Sequence, residues 1–418
     1  MLGLTIELFL VSLAIVGSSL ALLIAALRRR SKTDLLPETT AIDTGRPHDY
    51  SWTPPSTSYA FYRFNPSHRT ETPGGIESQS KTWRSTMRRL GTHLERRHVR
   101  RIVLVHGTFM GNDPFALVQQ LNTLLAQLNP KLGQALLTLT KQQLNRLVKD
   151  SGNFSPQYAQ LAKAALGEKI PCELFVWSSA NHHVARLRAA RDLILDLDKN
   201  LREYSSRDRT LMIGHSHAGQ VFALATHLLA GSKIAHGLFE VLDRDSTSTT
   251  SRALKDATKT VRQHNLDFVT LGAPPRYGYC QDPKRRRVLH IVNHRGRKAQ
   301  GGTVAGAFHT RGGDYIQQWG IAGSDLLAQT TEDRSLNEQL DAHLNIGADP
   351  AIWLENALKR PRVLKDGHTL LIDYCDASAL TPNFHTTGLG HAIYTKQRML
   401  RFNLEVIAEH LYGWTREE

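Results

Sequence analysis

Ser216 stands in the run Gly214-His215-Ser216-His217-Ala218-Gly219, after the aliphatic stretch Thr210-Leu-Met-Ile and before the helix-like Gly219-Gln-Val-Phe-Ala-Leu-Ala. A serine at the apex of a tight strand-to-helix turn has its hydroxyl lifted clear of a sheet and set at a helix N-terminus, which is what an acyl-transfer nucleophile needs. Such a turn brings the positions two before and two after the serine close together, so both must be small. Gly214 and Ala218 meet that demand, Ala218 standing where glycine is more usual. A simple helix N-cap accounts for the serine but not for the small residues around it, so the nucleophile is the stronger reading.

A nucleophilic serine needs a base and a place for the developing negative charge. The run Arg101-Ile-Val-Leu-Val-His106-Gly107-Thr108 delivers a β-branched strand into a His-Gly turn. Glycine lets backbone approach there, and the Thr108 amide can point at an oxyanion. His-Gly pairs are common, so this signal gains weight only beside the serine. Near the C-terminus, the strand-like His368-Thr-Leu-Leu-Ile-Asp-Tyr374 leads to Gly388-Leu-Gly390-His391-Ala-Ile-Tyr394 and an amphipathic segment over 396–411. His391 has the place of a general base in the chain order serine, acid, histidine. His385 is its competitor. Read together they could be metal ligands, but no cysteine or carboxylate cluster completes a zinc site beside them. No metal is expected.

With these residues in view, the chain resembles the α/β-hydrolase-fold serine hydrolases of the bacterial lipase and esterase kind. The likeness covers residues 100–413. It extends to Phe175-Val-Trp177-Ser178-Ser179-Ala180-Asn181, with Arg186 nearby, and to Phe268-Val-Thr-Leu-Gly272-Ala-Pro274. The resemblance implies a mostly parallel sheet wrapped by helices, Ser216 as nucleophile, His391 as base, and an oxyanion hole from the Thr108 and His217 amides. It also implies an acid after the strand Arg287-Val-Leu-His-Ile-Val-Asn293, yet the next carboxylate is Asp314. Gly313-Asp314-Tyr315-Ile316 matches the Asp-x-Ile form found in many members. Asp325, in Gly323-Ser324-Asp325, is the rival, and an Asp beside Gly or Ser is often only a turn former or helix cap. Asp314 is preferred, by a narrow margin.

These pieces need a scaffold. The chain has 418 residues, 41% hydrophobic and 22% charged, which is ordinary globular composition and excludes collagen-like, fully disordered and multi-pass membrane classes. Cys172, Cys280 and Cys375 are odd in number with no Cys-x-x-Cys, so neither a disulfide framework nor a cysteine zinc site is expected. Residues 112–171 carry leucines at helical spacing and are expected to cover the sheet and cap the site. Residues 231–264, polar with Asp-Ser-Thr-Ser-Thr-Thr-Ser at 245–251, read as a flexible surface insertion. The catalytic domain is expected over 100–418, after a segment, 33–99, made of a Pro-rich linker and a basic helix.

Leu8 to Leu27 is a 20-residue run without charge, followed by Arg28, Arg29, Arg30 and Lys32. As a helix it spans the roughly 30 Å hydrocarbon core, and the positive flank keeps the remainder on the cytoplasmic side. Residues 1–32 are therefore expected to be a single-pass anchor, in a bacterial inner membrane. The net charge of +14 then suggests an anionic lipid surface as partner, met by Arg88, Arg89, Arg96, Arg97, Arg100 and Arg101 in the basic stretch Lys81 to Arg101. No helix-turn-helix, zinc finger or RNA-binding signature points to nucleic acid. The reading is a serine hydrolase of carboxylic esters, lipid acyl esters among them, working without metal or organic cofactor. A thioesterase, amidase or acyltransferase would use the same residues. A non-catalytic α/β-hydrolase-like membrane scaffold is the alternative from another class.

Overall fold

Seven extended runs pair into one sheet in the computed structural model, which describes residues 58–63, 80–107, 154–294, 312–319, 328, 330–344, 363–364, 366–374 and 388–415. The apolar stretch Leu8–Leu27, Thr108, residues 112–153 of the helical insertion, Asp325, His385 and Cys375 lie outside the described residues. No described helix is long and apolar enough to cross a membrane.

The strands are β1 (Ser58–Arg63), β2 (Val99–Val105), β3 (Cys172–Phe175), β4 (Arg209–His215), β5 (Asn265–Leu271), β6 (Arg286–Asn293) and β7 (His368–Asp373). They lie in the order β1-β7-β6-β5-β4-β2-β3, and every pair is parallel. Parallel strands need crossovers, here helices on both faces, so central strands are apolar on both sides. Alternate side chains of β2 show this. Val103 and Val105 enter one core, while Ile102 and Leu104 enter the other.

The first core is closed by α3 (His183–Leu201), α4 (Ala218–Ala230), α5 (Lys233–Asp245), α6 (Ser248–Val261) and α8 (Thr331–Leu344). The second is closed by α1 (Lys81–Arg96), α2 (Pro156–Ala165) and α9 (Leu400–Tyr412), with the short α7 (Tyr315–Trp319) lying between β6 and β7 in sequence. The architecture is α/β, a parallel sheet flanked by helices.

Three expectations change. Residues 233–261 are two helices rather than a surface insertion, because Leu238, Val241 and Leu242, then Leu254, Ala257 and Val261, form apolar stripes buried in the first core. Residues 81–96 belong to the same core as the sheet through Trp83, Met87, Leu90 and Leu94. The domain therefore does not begin at residue 100. The basic stretch also divides. Arg100 and Arg101 lie on β2, where Arg100 pairs with Asp208 and buried Arg101 with Glu173 and Asp196. The Arg101 charge is spent inside the fold and the partly exposed Arg100 is paired with Asp208, whereas Lys81, Arg84, Arg88, Arg96 and Arg97 are exposed on or just after α1. The described tail of the helical insertion, Phe154 to Ile170, packs in the second core as part of the flanking layer.

Near the amino ends of the strands, fully buried Asp267 receives both Arg209 (2.7 and 2.7 Å) and Arg287 (2.7 and 2.8 Å) in bidentate fashion, plus the Tyr412 hydroxyl at 2.7 Å. This cluster ties β4, β5, β6 and α9 at the end of the sheet away from Ser216.

Candidate active site

β4 runs to His215 and α4 begins at Ala218, so the chain reverses within Ser216 and His217. Ser216 takes φ 57°, the left-handed region that a side chain resists, at a cost of about 1–2 kcal/mol. Its amide donates to Leu271 O at 2.9 Å, which ties the turn to β5. The requirement for small flanking residues is visible directly. A Cβ at Gly214 would come 2.9 Å from Ala218 Cβ and 2.5 Å from the Phe222 ring. The single methyl of Ala218 is tolerated there and is fully buried.

The His106-Gly107 turn lies against this serine. A Cβ on Gly107 would sit 2.6 Å from Ser216 Cβ and 3.3 Å from its Oγ, so only glycine allows the approach. Backbone hydrogen bonds define the tautomer of His106. Its Nε2 accepts from the Trp177 amide at 3.1 Å, so Nδ1 carries the proton and donates to Gly107 O at 2.9 Å. Trp177 Nε1 also donates to His106 O at 2.8 Å, and the two rings stack 5.9 Å apart. The Trp177 loop thus braces the turn that leads to Thr108. The His217 amide belongs to the N-cap residue of α4, next to the serine in the chain.

His391 lies after β7 and Asp314 after β6, and the fold brings them together. His391 Nδ1 is 2.7 Å from Asp314 Oδ2. A carboxylate only accepts, so Nδ1 donates and Nε2 is the basic nitrogen. Nε2 is buried and has no hydrogen-bond partner among the described residues. It is therefore not bonded to Ser216 Oγ here; such bonds are often long until substrate is bound. Asp314 is fully buried. Its amide donates to Asn293 O at 2.8 Å, and its Oδ1 accepts from the Gln317 amide at 2.8 Å. The helix-cap role and the histidine partner coexist, one on each carboxylate oxygen.

Serine and histidine are linked through the residue before the serine. His215 Nε2 donates to the His391 backbone carbonyl at 3.1 Å, and the two rings lie 4.4 Å apart. Two further contributors are Tyr394, whose hydroxyl reaches Asp314 Oδ2 at 2.8 Å, and Asn293, whose Nδ2 holds Gly390 O at 2.9 Å. Sequence reasoning assigned no role to these three. Tyr394 lies only three residues after His391, but nothing local shows that its hydroxyl turns toward a carboxylate 80 residues earlier in the chain.

The structure thus gathers Ser216, His217, His391 and Asp314 at the carboxyl ends of β4, β6 and β7, with Gly107 beside the serine. Thr108, Asp325 and His385 lie outside the described residues. No group of three or more His, Cys, Asp or Glu suited to a metal ion occurs among the described residues. A small apolar void lined by Ile102, Phe154, Tyr158 and Leu404 belongs to the second core and touches none of the site residues. No family model, curated protein or solved structure matches this chain, so its functional reading rests on the residues and their geometry.

Proposed function

We propose that this chain is a serine hydrolase of the α/β-hydrolase kind that cleaves carboxylic esters through an acyl-enzyme. One observation carries the reading. A strained serine turn and a buried Asp-His pair, with the basic nitrogen unengaged, share the carboxyl end of a parallel sheet. The chain order serine, acid, histidine supports it, as does the placement of each on a loop after β4, β6 and β7.

In this reading Ser216 Oγ attacks the ester carbonyl while His391 Nε2 takes its proton. The tetrahedral oxyanion is held by the amides of His217 and Thr108; each such donor is worth roughly a hundred- to a thousand-fold in rate. The imidazolium, stabilised by Asp314, then gives its proton to the leaving alkoxide, and the alcohol departs. Water, deprotonated by the same nitrogen, attacks the acyl-enzyme and releases the acid. The residues perform this sequence without an added cofactor.

Leu8–Leu27 and its basic flank support a membrane anchor, with the catalytic domain on the cytoplasmic side. The exposed cations of α1 support a contact with anionic lipid. Lipid acyl esters are the substrate class that fits both. The test is hydrolysis of p-nitrophenyl esters of increasing chain length by detergent-solubilised protein. Turnover that is lost in Ser216→Ala, and rises with acyl length, is the expected result. A folded wild type that cleaves none of them favours the scaffold reading, for which the missing Ser216–His391 bond would be the structural reason.

A further inference from the structure

We infer that Tyr394 is a positioning residue of the Ser216 site: its hydroxyl pins the Asp314 carboxylate and draws charge from the same oxygen that His391 uses. The inference rests on the serine-hydrolase reading above and extends it by one residue.

The hydrogen bonds around Tyr394 leave its hydroxyl proton one acceptor among the described residues. Its side chain is fully buried. The Asn293 amide donates to its hydroxyl oxygen at 2.6 Å, and an amide N–H cannot accept. The single hydroxyl proton therefore goes to Asp314 Oδ2, 2.8 Å away. That oxygen also takes His391 Nδ1–H at 2.7 Å, while the Gln317 amide takes the other oxygen. Burial and the neighbouring carboxylate push the Tyr394 hydroxyl well above its ordinary range, so it stays a donor wherever the histidine titrates.

Tyr394 is itself held from other directions. Its backbone carbonyl accepts from Asn403 Nδ2 at 2.8 Å, and Asn403 Oδ1 accepts from the Tyr374 hydroxyl at 2.8 Å. The ring meets Tyr374 edge-on, with centroids 5.6 Å apart. The hydroxyl thus has a fixed address supplied by β6, α9 and the loop after β7.

Two donors on one carboxylate oxygen compete for its charge. Removing the tyrosine hydroxyl concentrates that charge on His391, favours the imidazolium and removes free base at low pH. The titratable and charged groups facing His391 are Asp314 after β6, Tyr394 on its own loop and His215 from β4, with Tyr374 behind Tyr394. Of these, only Asp314 connects the tyrosine hydroxyl to the imidazole by hydrogen bonds.

The experiment measures the rate of Ser216 modification by a fluorophosphonate against pH, in full-length solubilised protein. Tyr394→Phe should move the acid limb up by about 0.5–1 pH unit and slow the plateau roughly ten-fold. Ester hydrolysis should show the loss in kcat with KM unchanged, since Tyr394 touches no substrate. In an Asp314→Asn background the same change should move nothing. Replacing Tyr394 with 3-fluorotyrosine keeps the shape and strengthens the donor, so its acid limb should move down; this variant serves if Tyr394→Phe does not fold. A reactive wild type whose limb is unmoved by these changes, or still moves with Asn at 314, overturns the role of Tyr394 alone. A folded wild type that never reacts overturns the hydrolase reading beneath it.

Discussion

At the residue scale the serine turn holds Ser216 in a strained backbone conformation, which the proposed nucleophile role would account for. Ser216 at φ 57° is a position where glycine would rest more easily. Ser216→Gly is expected to stabilise the fold by roughly 0.5–1 kcal/mol, relief of strain partly offset by glycine's larger chain entropy. Urea denaturation would show the gain, and esterase activity would vanish in the same protein; a destabilised variant would show that the turn is not strained. Asp314→Asn tests the carboxylate. An amide that turns its NH2 toward His391 forces Nδ1 to accept and places the proton on Nε2, the wrong tautomer for a base. A loss of about 10⁴ in kcat is expected at neutral pH, with a thermal midpoint still cooperative; activity within ten-fold of wild type would remove Asp314 from the site.

Residue types were legible where the pattern is local. The small positions around Ser216 and the His-Gly turn are short-range signals, and the His391 loop was legible by its place near the C-terminus. The choice between Asp314 and Asp325 was not, because residues 294–313 hide the return path of the chain. An isolated bridge between His294 and Gly313 brings Asp314 back to the end of β6, and that pairing leaves no trace in composition. Tyr394 and His215 act through partners 80 and 176 residues away, beyond any spacing rule.

At the element scale, apolar runs revealed β2, β4, β6 and β7, but missed β1, which lies within the stretch read as a linker and pairs with β7, and undervalued helices with long polar faces. α5 and α6 were obscured by a run of Asp, Ser and Thr, although their stripes sit at helical spacing and fill the first core. α1 looked like a cationic face, yet its other side is core. Leu90→Ala, at a fully buried position, should cost about 2–5 kcal/mol in urea denaturation; a change under 1 kcal/mol would mean α1 is not part of the domain. The Asp267 cluster gives the elements their electrostatic tie. Burial raises the Asp267 carboxyl, but the hydrogen bonds and charges of Arg209 and Arg287 outweigh it and leave it below its ordinary range. A depressed folded-state value contributes stability that is present above the unfolded carboxylate value near 3.9 and is lost as pH falls through the folded one. Asp267→Asn should therefore cost about 3–5 kcal/mol at pH 7 and flatten the stability profile at the acid end, both read by denaturant titration across pH.

For the whole molecule, a parallel sheet with helices on both faces puts the loops after β4, β6 and β7 at its carboxyl end, and the candidate site gathers there. The sequence fragments that carry it are 285 residues apart at their extremes, from His106 to His391, and only the crossover topology unites them. The remaining cations have a separate meaning. Arg101, Arg209 and Arg287 are taken up by pairs within the fold, and the exposed cations of α1 remain available for the proposed lipid contact. Deleting residues 1–32 should release the protein from membranes into the soluble fraction after a salt wash, with esterase activity retained. Protein that stays membrane-bound would move the anchor elsewhere.

The most direct measurement is mass spectrometry of full-length protein treated with a fluorophosphonate, followed by peptide mapping. A single phosphonyl adduct on Ser216 is expected, absent from Ser216→Ala and slowed in His391→Gln. A folded protein that takes no adduct, or takes it on another serine, would not be a hydrolase acting through Ser216.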